Sequence, residues 1–70
     1  MPITKHSISI AGHATSISLE EEFWTALREI ARKRGVSLAA LIAGVDKDRA
    51  GNLSSALRLL VLKSYRTGEL

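Results

Sequence analysis

Cysteine is absent from the sequence, which excludes disulfide bonds and thiolate metal sites. A 70-residue chain is one domain and buries little apolar surface, so it needs reinforcement. Without cysteine, oligomerisation is the usual reinforcement left open to a small domain. Hydrophobic residues nevertheless make up 46% of the chain. Both observations favour a homodimer with a shared core.

Long apolar runs are missing as well. The longest, residues 38–45 and 59–62, fall far short of the roughly 18 residues that a membrane-spanning helix requires. Residues 1–14 contain no continuous apolar core behind a basic start, so nothing there is typical of a secretory signal. We therefore expect a cytoplasmic protein without a membrane partner.

Carboxylates are absent from residues 1–19, where Lys5, His6 and His13 lie. The net charge of +3 and the pI near 9.8 are mild and favour an anionic partner without requiring one. The position of the charge is more informative, because no group at this end would repel phosphate. A short segment can also lack acidic residues by chance.

Two segments near the N-terminus alternate between apolar and polar residues, as half-buried strands do. Ser7–Ile10 is the first and Thr15–Leu19 the second. The residues between them include Gly12, which suits a tight hairpin turn. Residues 1–13 are therefore either an extra strand that pairs within the chain or an arm that folds over a partner. The sequence leaves both alternatives open.

Helical periodicity follows the second strand. We predict a ribbon strand over 14–19 and helices over 20–34, 37–47 and 52–66. Gly35 ends the first helix and Ser37 caps the second, while Asn52 caps the third. The third helix is apolar on nearly all sides, so it must be buried on more than one face.

This order of strand, helix, glycine turn and helix resembles the ribbon-helix-helix family of bacterial DNA-binding repressors. The resemblance covers Ala14 to about Val45. It is carried by Thr15-Ser16-Ile17-Ser18-Leu19, Leu19-Glu20-Glu21-Glu22-Phe23, Arg34-Gly35-Val36-Ser37 and Leu41-Ile42. The chain also looks like a small subfamily of uncharacterised bacterial ribbon-helix-helix domains, which share Gly12-His13, Thr15-Ser16, Phe23-Trp24 and Gly51-Asn52-Leu53-Ser54-Ser55-Ala56-Leu57-Arg58.

The resemblance implies a mainly α fold with a short N-terminal β-ribbon and a third, C-terminal helix, in an intertwined homodimer. In the family, one strand from each chain forms an antiparallel ribbon that enters the major groove. The base-contacting positions fall on Ala14, Ser16 and Ser18, whereas the family usually has long basic or amide side chains at some of them. Serine bonds to almost any base edge. Discrimination would then need an additional contact from Lys5, Ser7, Ser9 or His13, and the alternative is a solvated strand face.

A second contact implied by the family is the start of the second helix, which clamps the DNA backbone. Carried over, it falls on Val36, Ser37 and Leu38, with charge from Arg34 or Lys33. Free N–H groups and the helix dipole favour a phosphate there. Ser37 can equally be a helix cap alone, and both roles are compatible.

The shared apolar positions predict the dimer core: Ile17, Leu19, Phe23, Trp24, Leu27, Leu41, Ile42, Leu57 and Leu60. We expect a homodimeric transcriptional regulator, a repressor whose partners are double-stranded DNA and its own second copy. It would be nucleoid-associated when bound. The alternative from another class is an antitoxin-like or adaptor dimer that binds a protein partner and keeps the fold without specific DNA binding.

Other interpretations are weaker. A helix-turn-helix would need apolar residues at Arg34 and Gly44 and has no place for the preceding strand. The two histidines have no carboxylate beside them in the sequence and are fewer than the three or four ligands of a zinc site. Neither a nucleophile motif nor a phosphate-binding glycine loop is present. We therefore expect no enzyme activity, no cofactor and no metal.

Overall fold

The computed structural model describes residues 2–48 and 51–69. Two strands and three helices follow one another along the chain: β1 Ile3–Ile10, β2 His13–Glu20, α1 Glu21–Arg34, α2 Leu38–Asp48 and α3 Leu53–Arg66. The predicted fold class, an N-terminal β-ribbon followed by three helices, is confirmed. The predicted loop between the second and third helices includes residues 49 and 50, which lie outside the described residues.

The ribbon is a hairpin within one chain. β1 and β2 pair antiparallel, from Ile10 opposite His13 at the turn to Ile3 opposite Glu20 at the open end. Only two residues join the strands, and both have positive φ, 50° at Ala11 and 83° at Gly12, as a type I′ turn requires. This geometry decides between the two sequence alternatives in favour of the paired strand.

The hairpin adds a pairing within the chain to the expected ribbon of one strand from each chain, which a single chain does not test. β2 is already paired with β1 over all eight of its residues. The physical reason is local, because a two-residue turn closes the smallest possible loop and costs little chain entropy. The sheet of the described residues has two strands, so the second edge of β2 stays available to a strand of another copy.

The inner face of the hairpin packs on the helices. Ile10, Ile17 and Leu19 are buried there, while their neighbours along each strand point outward. The helices contribute the rest of the buried apolar core: Trp24, Ala26, Leu27, Ile30, Ala31, Leu41, Ile42, Leu53, Leu57 and Val61. Burial of each large side chain in this set stabilises the fold by about 1.5–3 kcal/mol.

The side chains predicted for a dimer core lie in or against the core of the single chain. Seven of them are buried within one chain: Ile17, Leu19, Trp24, Leu27, Leu41, Ile42 and Leu57. Phe23 and Leu60 are partly buried and pack against the same cluster. α3 and the hairpin supply the cover that the prediction assigned to a second copy. The large apolar side chains that one chain leaves exposed are different: Ile3, Val36, Leu59, Leu62 and Tyr65.

Side-chain contacts hold the hairpin on the helices and connect the helices to one another. The Trp24 indole N–H donates to the Thr4 carbonyl oxygen at 2.9 Å. Arg58 of α3 donates from Nη2 to Glu20 Oε1 at 2.9 Å, and its guanidinium lies 5.7 Å from the centre of the Phe23 ring. Both Arg58 contacts involve the strand-to-helix junction, so the orientation of the outer strand face is set by α1 and α3 together.

Candidate nucleic-acid interface

The outward side chains of the two strands form one continuous polar surface. β1 places Lys5, Ser7 and Ser9 directly opposite Ser18, Ser16 and Ala14 of β2, and every one of these residues is exposed. We call these six residues the outer hairpin face. A two-stranded ribbon has the dimensions that the DNA major groove admits.

The hairpin therefore brings together two groups of residues that the sequence analysis treated separately, the possible arm contacts and the base contacts. Lys5, Ser7 and Ser9 were candidates for an arm contact and now lie beside the three base-contacting positions. His13 does not join them, because it is opposite the buried Ile10 at the turn. The signal was available in the sequence, since choosing Ala11-Gly12 as the turn fixes the register of every pair.

The carboxylate that follows the outer hairpin face on β2 is paired with an arginine. Glu20 lies opposite Ile3 at the open end of the hairpin and is held by Arg58, with 2.9 Å between Nη2 and Oε1. A hydrogen bond from its own backbone N–H, aided by the Arg58 guanidinium, holds the pKa of the Glu20 carboxyl below its usual value. This carboxylate is therefore ionised and already paired at neutral pH.

His6 belongs to the inner face and does not add to the outward charge. Its ring meets Trp24 edge-on, with 4.5 Å between ring centres. Nε2 lies 3.8 Å from Glu21 Oε1, a carboxylate that the fold brings to His6 from a distant part of the sequence. Lys5 is therefore the positively charged residue of the outer hairpin face.

The start of α2 is the second predicted contact. The Ser37 hydroxyl oxygen accepts a hydrogen bond from the Ala40 N–H at 3.0 Å, so Ser37 caps the helix. Its own O–H is a donor that this bond does not use. The N–H groups of Leu38 and Ala39, in the first turn, have no acceptor within the helix. Ser37 and Leu38 therefore keep donors that a phosphate can use.

Val36, the third residue predicted at this helix end, has its backbone N–H engaged within the chain. Its N–H donates to the Ala31 carbonyl oxygen at 3.0 Å. The cause is the end of α1, where Gly35 adopts a left-handed φ of 70° and turns the following N–H back onto the helix. The Val36 backbone is satisfied internally, and its side chain is 43% exposed.

The two predicted cations beside α2 are engaged as well. Arg34 donates from Nε to Glu69 Oε2 at 2.7 Å and from Nη2 to Glu69 Oε1 at 3.0 Å. Lys33 Nζ donates to the Glu69 carbonyl oxygen at 2.9 Å. The hydrogen bonds with Glu69 raise the pKa of Arg34, and those with Arg34 lower the pKa of Glu69.

Two grooves border α2. Asp46, near its C-terminal end, lines a groove with Ile10 and His13 of the hairpin turn. Val36, at the other end, lines a groove with Leu59 and Arg34.

Residues 2–48 and 51–69 offer neither a metal site nor a membrane span. In these ranges no group of three or more histidine, cysteine, aspartate or glutamate side chains is arranged to hold a metal ion. None of the helices in that part of the chain is long and apolar enough to span a bilayer.

Comparisons with known proteins place this geometry in context. A family model described as a ribbon-helix-helix domain matches residues 3–65. A solved structure of an uncharacterised protein from Bordetella pertussis Tohama I is similar, with a TM-score of 0.75 and 32% sequence identity. The similarity covers 94% of this chain and 57% of that protein, so the chain spans little more than half the length of this relative. No curated protein matches the chain significantly.

Proposed function

The chain belongs to the ribbon-helix-helix family, and from that premise we propose that it is a DNA-binding transcriptional regulator, a repressor that inserts its hairpin into the major groove. Domains of this family are commonly DNA-binding regulators or antitoxins and are typically non-enzymatic. We infer that the protein acts in the cytoplasm and is nucleoid-associated when bound.

The outer hairpin face carries this proposal. It presents serine hydroxyls and the Lys5 ammonium to solvent in one plane, without a carboxylate among its six residues. Hydroxyl groups donate to and accept from base edges, and a lysine donates to guanine or to phosphate. Each serine would distinguish poorly between the four bases. Lys5 is the residue that would add a strong contact.

Phosphate contacts complete the proposed mode of binding. The Leu38 N–H and the Ser37 hydroxyl offer donors at the positive end of the α2 dipole. Such contacts fix the orientation of a protein on the duplex without reading sequence. The outer hairpin face would then specify the site while the start of α2 positions the protein.

A homodimer is the assembly that we propose. Leu59, Leu62 and Tyr65 of α3 are each more than half exposed, at 53%, 51% and 57%, which is unfavourable for large apolar side chains on a free surface. Leu59 lines a groove together with the exposed Val36, and a second copy would cover this groove. Two hairpins related by a two-fold axis predict an operator with two similar half-sites.

The second candidate function is an antitoxin-like or adaptor dimer that binds a protein. The same exposed apolar side chains and the Glu69 pairing of Arg34 favour it, because both suit a protein surface better than a phosphate. Loss of DNA binding with retained dimerisation would support this alternative.

Titration of the purified protein against random and promoter duplex DNA at two salt concentrations tests the proposal, with the molar mass measured in the same buffer. Lys5→Ala is compared with Arg28→Ala, which removes one positive charge from the outer side of α1. We expect Lys5→Ala to weaken binding and to reduce the salt slope by about one counterion, and Arg28→Ala to change little.

Binding without salt dependence, or equal losses in the two variants, would contradict the assignment of DNA contact to the outer hairpin face. A dimer that binds no duplex at low salt would instead favour the protein-binding alternative. A stable monomer would overturn the proposed assembly.

A further inference from the structure

The chain after α3 turns back and places one carboxylate against the end of α1. Glu69 accepts three hydrogen bonds at its side chain, two from Arg34 at 2.7 and 3.0 Å and one from the Ser64 hydroxyl at 3.1 Å. Its backbone carbonyl oxygen accepts from Lys33 at 2.9 Å. Its N–H donates to the Ser64 carbonyl oxygen at 2.8 Å. The residue is thus held by two cations and a hydroxyl.

These donors form a site that suits an anion with two or more oxygen acceptors. The guanidinium uses Nε and Nη2 on the two carboxylate oxygens, which is also the way that arginine binds phosphate. Ser64 is the buried polar side chain of the described core, 2% exposed, and its hydroxyl is aimed at the anion. Arg34 also borders the groove at the start of α2, together with Val36.

We propose that Arg34, Lys33 and Ser64 form a phosphate site, that Glu69 closes this site in the free protein, and that a DNA backbone phosphate binds there by displacing the Glu69 carboxylate. The identity of the phosphate as part of DNA rests on the proposed function. The existence of an anion site beneath Glu69 does not.

Displacement is energetically accessible. The side chains of Arg34 and Glu69 are 43% and 28% exposed, and ion pairs at such positions contribute little net stability. Gly68 precedes the carboxylate with a φ of 79°, so the backbone bends sharply between α3 and Glu69. A phosphate would satisfy the same donors, and it would add the attraction of the nearby α2 N-terminus.

Glu69→Gln tests the proposal, because it removes the charge and preserves the size of the side chain. The matched control is Glu22→Gln, which removes the same charge from an exposed position in the first turn of α1. We expect Glu69→Gln to raise the affinity for duplex DNA about two- to fivefold more than Glu22→Gln, the range for releasing one exposed ion pair.

Two further readouts separate this site from general electrostatics. The salt slope should steepen in Glu69→Gln as a new phosphate contact forms, and the double variant Glu69→Gln with Arg34→Ala should lose the gain. Equal affinities in Glu69→Gln and Glu22→Gln would overturn the proposal, as would a gain that persists without Arg34. Thermal unfolding of each variant shows that the compared proteins are folded.

Titration with inorganic phosphate distinguishes failure of the site from failure of the proposed function. The Nε–H resonance of Arg34 should shift saturably in Glu69→Gln and far less in the unmodified protein, at constant ionic strength in chloride. Phosphate binding without any duplex binding would contradict the DNA part of the proposal and leave a site for free phosphate groups. No shift in Glu69→Gln would overturn the site itself.

Discussion

The outer hairpin face and the start of α2 were both expected to contact DNA, and they differ in how folding uses their polar groups. On the hairpin, the outward side chains of Lys5 and Ser16 are exposed to solvent. At the start of α2, Val36 and Arg34 already donate to Ala31 and Glu69. The type of a residue limits which ligands it can bind. The hydrogen bonds that it makes within the folded chain determine which of its donors remain available.

The same contrast separates specificity from affinity. In the proposed DNA complex, the outer hairpin face would meet base edges with exposed side chains and a single cation, so it would contribute more to specificity than to affinity. The start of α2 has a higher density of positive groups, but Glu69 neutralises part of it. From these two regions we expect a modest affinity for DNA. The affinity should rise when Glu69 no longer pairs with the cations at the start of α2.

A charge at the centre of the hairpin should weaken DNA binding most. Ser16→Glu places a carboxylate on the outer hairpin face, opposite Ser7, where it would meet DNA directly. We expect affinity to fall about a hundredfold or more, because like charges in an interface cost several kcal/mol. Thr25→Glu, at an exposed position on α1, adds the same charge elsewhere and should lose far less. Fluorescence anisotropy with labelled duplex measures both, and equal losses would remove the distinction between the two surfaces.

A more modest loss is expected at the start of α2. Ser37→Asp keeps a side-chain oxygen that can cap the helix and adds a negative charge, whereas Ser37→Asn caps without charge. We expect Ser37→Asp to weaken DNA binding roughly tenfold relative to Ser37→Asn, the size of one charge pair at the edge of an interface. Both proteins should unfold at similar temperatures. Matching affinities for the two variants would exclude a phosphate at this helix end.

Ala11 gives a stability test that concerns the hairpin alone. It holds a φ of 50°, a left-handed conformation that is unfavourable for alanine and readily adopted by asparagine. Ala11→Asn should therefore raise the free energy of unfolding by about 0.5–1 kcal/mol, measured by urea denaturation. A loss of stability would show that the turn differs from the type I′ geometry described above.

Much of the fold was predictable because it depends on neighbours in sequence. The alternation of Ile17 and Leu19, the glycine stop at Gly35 and the cap at Asn52, which accepts from the Ser55 N–H at 3.1 Å, are all local patterns. The family was likewise predicted from local segments and is confirmed. Partners far apart in sequence were not predictable. Arg34 and Glu69 lie 35 residues apart, and no periodicity connects them.

The intrachain ribbon shows the same limit. The sequence left the first strand unassigned because its pattern suits a hairpin as well as an arm, and only the register settles the choice. The register places Ile8 opposite Thr15. The inner face of the hairpin then covers the core of the same chain. The apolar residues predicted for a dimer core are buried or partly buried within one chain, and their contribution to a dimer stays a prediction.

The pH dependence of the Glu69 contact should be the weakest of these effects. Its pKa is lowered from 4.5 by Arg34, so the folded state binds this proton less readily than the unfolded state. The contribution to stability is then fully present above the ordinary pKa and is lost as the pH falls through the lowered one. Melting temperatures of the protein and of Glu69→Gln should differ near neutral pH and converge below the ordinary pKa of 4.5. A constant difference across this range would contradict an ionised Glu69 contact.

Amide chemical-shift mapping during titration with duplex DNA would locate the DNA-reading surface residue by residue. We expect the strongest perturbations on the hairpin at Lys5, Ser7, Ser16 and Ser18, with weaker changes at Leu38. Perturbations confined to the exposed apolar residues of α3, or none at low salt, would contradict the assignment of the outer hairpin face as that surface.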